Sequence, residues 1–303
     1  MQKYKSLVLP IALVSGYFLR QFCSSISMMV PYIIFIILVL NFSGVCLSSL
    51  RPSKLDLCIA SFQILVSIGL YWLLKSITSD EILAQGALMC VLCPVASSVT
   101  VVSSMLGADP ARTTTYTIIG NLLVCFIAPF YISIIMETSS NTSFGTLFML
   151  IFAKIAVVIA LPYISVSCIQ KFLPRLNAGI SAYKHISFYL WAIALFITIG
   201  QTIDFVIMRW KENIENVIWL GIISLAICIG QFYSGKKIGD NYQERIAGGQ
   251  MLAQKNSAMG IWMLNTFLNP IASVGMAFYS IWQNVFNSWQ IYKTSPRKSR
   301  NKG

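Results

Sequence analysis

Two stretches of this sequence place polar and helix-breaking residues among otherwise apolar neighbours. The first reads Leu88-Met-Cys90-Val-Leu-Cys93-Pro94-Val95-Ala96-Ser97-Ser98-Val99-Thr100-Val-Val-Ser103-Ser104. Proline removes a backbone donor and clashes one turn back, so carbonyls near residue 90 lose their helical partners, and a hydroxyl-rich half-helix follows. The second reads Gly248-Gly249-Gln250-Met251-Leu-Ala-Gln254-Lys255-Asn256-Ser257-Ala-Met-Gly260. It sets an amide, an amine, an amide and a hydroxyl side by side. Freed carbonyls suit cations, half-helix N-termini suit anions, and a buried lysine inside an apolar segment is a functional-site candidate in its own right. The chemistry on offer is therefore ion and small charged-ligand binding. No Gly-rich phosphate loop, HExxH or GxSxG motif is present, so neither ATP-driven pumping by this chain alone nor an enzyme is expected.

The surrounding elements must hold these stretches in lipid. Of 303 residues, 56% are hydrophobic and 11% charged, against about 25% charged in a soluble domain. Disordered, collagen-like and disulfide-scaffold classes are excluded, and a polytopic all-α membrane protein remains. Ten apolar segments are expected, at roughly 7–19, 27–49, 55–76, 82–106, 112–136, 145–170, 185–206, 216–234, 246–268 and 271–291. Most reach the ~20 residues that cross the hydrocarbon as helix. The first is short and contains Pro10 and Gly16. A cleavable signal is the alternative there, but no small-x-small site follows before Arg20, so a retained helix is expected.

A net charge of +12 would suggest nucleic acid in a soluble protein. Here it resolves into a topology. Sixteen of the 22 basic residues, from Lys3 to Lys302, fall on the side of the N-terminus; Arg20, Lys75, Arg209 and Lys211 fall opposite. Lys154 and Lys255 lie within apolar segments. The bias predicts ten crossings with both termini cytoplasmic, in a bacterial inner (plasma) membrane, with the bilayer and not nucleic acid as partner. The breaks occupy the fourth and ninth segments, so each is fourth in a five-helix half (1–138 and 139–303), and odd-numbered halves are inverted. Interrupted helices at matching positions of inverted halves point to a secondary transporter with a midplane site. The bland alternative is an ordinary kink at Pro94 and a Lys255 that contacts a local carbonyl.

At these residues the chain resembles the bile acid:sodium symporter family. The resemblance implies ten helices in two inverted repeats, with helices 4 and 9 unwound and crossing, and a panel of helices 1, 2, 6 and 7 beside a core of helices 3–5 and 8–10. The family's Cys-Pro-Gly-Gly…Ser-Asn signature reads here Cys93-Pro94-Val95-Ala96, with Val99-Thr100 for the Ser-Asn pair. Its Glu…Gln-Asn reads Lys255-Asn256-Ser257, with Met251 near the glutamate position. The resemblance implies two sodium ions held by the Ser-Asn pair, hydroxyls of the next helix, and the glutamate and glutamine. This chain keeps Ser97, Ser98, Thr100, Thr113, Thr114 and Thr117 but lacks the carboxylate and one asparagine. Lys255 is expected to replace at least one sodium ion, both being compact monocations, which makes transport sodium-independent or proton-linked. No other cofactor is expected.

Lys154, about ten residues into the sixth segment, either meets a substrate carboxylate or snorkels. Gln250, Gln254, Ser257, Asn265 and Asn269 form a stripe that lines a pathway or joins helices; Asn121 shares that ambiguity. Thr113 and Thr117 are assigned to the site through the family positions. The eight cysteines read as packing residues, Cys90-x-x-Cys93 included. His185 reads as interfacial, and Trp210, Trp219, Trp282 and Trp289 read as belt anchors. Asn141-Thr-Ser143 is a sequon, and the basic tail is an inside-positive terminus. The expected activity is alternating-access transport of a small organic anion. A transporter-fold sensor or accessory protein, and a lysine-bearing proton antiporter, are the alternatives.

Overall fold

The computed structural model describes residues 8–45, 51–96, 98–137, 142–208 and 210–294. Expectations on Lys3, Lys5, Ser97, Asn141, Arg209 and the tail beyond 294 lie outside the described residues, as do the side chains of Trp210 and Lys211. Among the described residues every regular element is helical: α1 Val8–Phe18, α2 Arg20–Ile26, α3 Val30–Ser43, α4 Lys54–Thr78, α5 Glu81–Leu92, α6 Val99–Met105, α7 Pro110–Glu137, α8 Phe144–Phe172, α9 Pro174–Ala182, α10 Ile186–Met208, α11 Trp210–Asp240, α12 Arg245–Ala253, α13 Ser257–Phe267 and α14 Ser273–Thr294. Six helical stretches among them are long and apolar enough to cross a membrane: 20–43, 54–78, 110–136, 144–172, 186–208 and 214–240. The interrupted pairs α5/α6 and α12/α13 fall outside this set because each half is too short alone.

Local chemistry places the ends. Ser53 and Asp56 form a reciprocal capping box at the start of α4, with Ser53 N donating to Asp56 Oδ2 at 2.7 Å. Such a box supplies partners to the free N–H groups of the first turn. Asp80 caps α5 by accepting from Ile82 N and Leu83 N. Lys75 Nζ reaches Glu81 Oε1 at 2.7 Å across the turn between α4 and α5.

Two expectations change. Residues 20–26, expected as an outer loop between the first two segments, are helical, and the stretch 20–43 reads as one apolar run with a 3₁₀ turn at Ser27–Met29. Arg20 is accommodated there because its guanidinium faces buried Asp204 of α10 at 3.5 Å. The loop expected between the sixth and seventh segments holds α9, a short helix with Pro174 in its first turn, a position where the missing N–H of proline costs nothing.

Helices α11 and α12 touch backbone to backbone. A Cβ at Gly235 would lie 2.5 Å from the Gly248 carbonyl oxygen, and one at Gly248 would lie 2.4 Å from that of Gly235. Small residues permit this approach where hydrophobic driving force between helices is lost to lipid. Gly235→Ala or Gly248→Ala should therefore lower thermal stability in detergent by about 1–3 kcal/mol. Gly69→Ala, with nothing within 4 Å, should leave it unchanged or slightly raised. Unfolding followed by intrinsic fluorescence checks both.

Candidate functional site

The two helix breaks meet. Val95 and Lys255 form an isolated antiparallel bridge. Ala96 N donates to Gln254 O at 3.1 Å, and Asn256 N donates to Pro94 O at 2.8 Å. Each unwound stretch thus serves the other as a one-rung sheet partner. This fills some, though not all, of the backbone groups freed by unwinding, and a free group in lipid costs several kcal/mol.

Side-chain amides take up much of the remainder. Gln63 of α4 donates to Leu92 O at 2.8 Å and to Cys93 O at 3.2 Å; Tyr116 of α7 donates to Gln63 Oε1 at 3.0 Å. Gln231 of α11 donates to Cys90 O and to Tyr279 Oη at 3.0 and 2.9 Å; Tyr279 of α14 in turn donates to Ala253 O at 2.7 Å. The bridge residues are held alike. Asn121 of α7 donates to Val95 O at 3.3 Å, and Gln283 of α14 donates to Lys255 O at 3.1 Å. Gln283 Oε1 also accepts from Lys255 N at 2.8 Å. A Gln–Tyr pair and an amide beneath the bridge therefore recur on α4/α7 and α11/α14. None of these was assigned a role from the sequence except Asn121 and Tyr116, the latter within the run 113–117, both left ambiguous. Their signal was present as single Gln or Tyr residues in mid-helix, but a lone amide does not announce which carbonyl it caps.

The extended backbone at Gln254–Asn256 sends successive side chains to opposite faces. Gln254 Nε2 donates to exposed Ser98 Oγ at 2.8 Å. Asn256, half-buried, caps α13 by accepting from Met259 N. Lys255 points the other way and is 1% exposed. Its Nζ has no hydrogen-bond partner within the protein among the described residues. It enters none of the ion pairs seen among them. Among the described residues the local-carbonyl contact of the bland reading is therefore not made, and the amine donates to none of Ser98, Thr100, Thr113, Thr114 and Thr117.

The other site residues divide. Thr100 Oγ1 lies 3.0 Å from Thr114 Oγ1, so Thr114 joins the crossing through Thr100. Thr113 and Thr117 turn back on their own helix, to Pro110 O at 3.2 Å and Thr113 O at 2.7 Å, which is how a threonine settles inside an apolar helix. Ser257 Oγ accepts from Gln283 Nε2 at 3.2 Å. Lys154 is exposed and lies over Phe267 at 5.8 Å, at the far end of α13 from the crossing. The polar stripe of the ninth segment is not one face, because the break intervenes: Gln250 reaches Asn287, Asn265 reaches Gln201, and Gln85 accepts from Asn269 N. Its members join helices. Cys93 Sγ donates to Asn256 O at 3.0 Å, more than the packing role expected. Trp219 and Trp289 are exposed, as belt residues would be, whereas Trp282 Nε1 is tied to Gly221 O at 3.2 Å. Met251 lies in a buried apolar cluster with Leu55, Ile59, Val95, Val99 and Tyr116. Hydrocarbon therefore fills the place where the family resemblance puts a carboxylate.

An all-helical chain with several membrane-length helices, built around two broken helices joined at their breaks, has the architecture of a membrane transporter. The chain belongs to the SBF-like CPA transporter family, whose model matches residues 49–291. No curated protein matches it.

Gln63→Leu should destabilise the protein by at least about 2 kcal/mol, since it strips two buried carbonyls and a phenol of their partner at once. Tyr116→Phe should cost less. Thermal unfolding of both variants in the same detergent checks the order.

Proposed function

We propose that the protein is a secondary carrier of a small organic anion that works by alternating access without sodium. The observation that carries this reading is the buried Lys255 amine, without a partner among the described residues, at the junction of two broken helices. α5/α6 and α12/α13 each count as one interrupted crossing, α1 to α3 make the first two, and α14 is the tenth. The recurrence of the Gln–Tyr pair and of the bridge amide at separations near 160 residues supports two inverted halves. Gln63 and Gln231 correspond, as do Tyr116 and Tyr279.

In this reading α4–α7 and α11–α14 form the moving core, and α1–α3, α8 and α10 form the panel. Gln201–Asn265 and Thr202–Ser273, both at 3.0 Å, join panel to core at one end. The anion sits on the accessible face of the crossing, beside Ser98, Thr100 and Asn256 and near the start of α13. Lys154 draws carboxylates towards the cleft. The basic residues that share an end support the inside-positive orientation: Arg112 pairs with Glu244 at 3.5 Å and Arg245 with Asp240.

The residues present do not suit sodium. The amine of Lys255 stands in the crossing, and Met251, packed in an apolar cluster, occupies the place of the family's carboxylate. A second reading, coupling to protons through Lys255, is favoured by its lack of an ion-pair partner, since it can lose and regain a proton without breaking one.

In proteoliposomes, at least one of a panel of radiolabelled small carboxylates and sulfonates should accumulate at the same rate in external sodium or choline. Sodium-stimulated uptake would sink the reading. Lys255→Gln should make thermal stability rise with sodium concentration, where the parent protein shows no dependence.

A further inference from the structure

A second polar feature lies beneath the crossing, on the face opposite Ser98 and Asn256. Gln283, Asn287 and Gln290 stand at i, i+4 and i+7 on α14, with Ser280 one turn before, so they share one helix face. All four are buried, at 7% exposure or less. Gln250 of α12 donates to Asn287 Oδ1 at 3.0 Å, and Lys236 of α11 donates to Gln290 Oε1 at 2.6 Å. The row thus begins at Lys255, which Gln283 holds by its backbone, and ends about 10 Å away at half-buried Lys236.

The row is under-satisfied along its length. Gln250 Oε1, Ser280 Oγ, Gln290 Nε2 and Lys255 Nζ are buried without a hydrogen-bond partner within the protein. Buried polar atoms are rarely left so, and water is the usual partner where protein supplies none. In lipid, tolerance of such groups requires a water-filled cavity or protein partners. One isolated gap would be unremarkable. Three along one seam between α11, α12 and α14, with Lys255 at its crossing end, follow a path.

We propose that this seam is a hydrated passage giving Lys255 access to the aqueous phase at the Lys236 end, separate from the anion cleft. Its cargo is water and protons. The row holds amides and hydroxyls but no carboxylate, so it offers a hard metal cation no charged ligand. The titratable groups around its crossing end are Cys90, Cys93, Cys228 and Tyr279, and those around its mouth are Lys236, Arg245 and Lys293. At the mouth Arg245 is paired with Asp240. This inference rests on the reading of Lys255 as a functional lysine, but its test does not depend on transport.

Hydroxyl-radical footprinting of the full chain in liposomes reads it. Tyr279, 0% exposed and one turn before Gln283 on the same helix face, reports on the passage; Met251, 0% exposed in the apolar cluster beside Val95 and Tyr116, and Met263, also 0% exposed, are the dry references. Oxidation of Tyr279 should exceed that of Met251 and Met263 at least fivefold. It should fall to the Met263 level in Asn287→Leu or Gln290→Leu, while Asn287→Ser retains it; size-exclusion profiles identify which variants are folded. Equal oxidation of all three residues in the parent protein overturns the passage, as does a folded leucine variant that leaves the oxidation unchanged. Failure of uptake with positive footprinting removes the carrier reading alone.

Discussion

The antiparallel bridge between Val95 and Lys255 is the contact on which the rest of the structure depends. Two helices are broken in mid-course, and each break frees carbonyls and amides that have no water to turn to. The bridge satisfies some of them mutually. The others require amides from four further helices, and this is why Gln63, Asn121, Gln231 and Gln283 sit in otherwise apolar segments. Much of the packing follows from bringing α4, α7, α11 and α14 close enough for those amides to reach. The glycine contact of α11 with α12 brings one of the four against a broken helix.

The same bridge sorts chemistry by face. Extended backbone alternates side chains, so Gln254 and Asn256 meet the accessible side with Ser98, while the Lys255 side chain turns into the core and its backbone is held by Gln283. A buried lysine amine without a hydrogen-bond partner among the described residues sets that face of the crossing apart from the other, where Asn256 caps the start of α13. Met251, packed with Val95 and Val99, adds hydrocarbon and no charge next to the bridge.

How much of this could be read beforehand follows from the physics of each signal. Apolar segments and their approximate limits were legible because lipid demands long hydrophobic runs. Pro94 and the Gln254–Ser257 run announced the breaks because nothing else explains such residues in mid-segment. The helix at Pro174–Ala182 and the helical character of residues 20–26 were not legible, since short polar-flanked helices carry little periodicity. Thr113 and Thr117 were named through the family positions, and each donates to a carbonyl of its own helix; that Thr114, on the neighbouring position, meets Thr100 was not legible, because a run of threonines does not say which hydroxyl faces a neighbouring helix.

The sequence by itself determined that the chain is a helical membrane protein, where its helices break, and that a lysine stands in one break, because composition, proline and a buried charge act locally. Only the tertiary structure decided that the breaks join, that Lys255 turns away from the hydroxyl cluster, and which amide caps which carbonyl. Those outcomes depend on the approach of residues some 30 to 160 positions apart, where side-chain reach and helix rotation, which no local pattern encodes, select the partner.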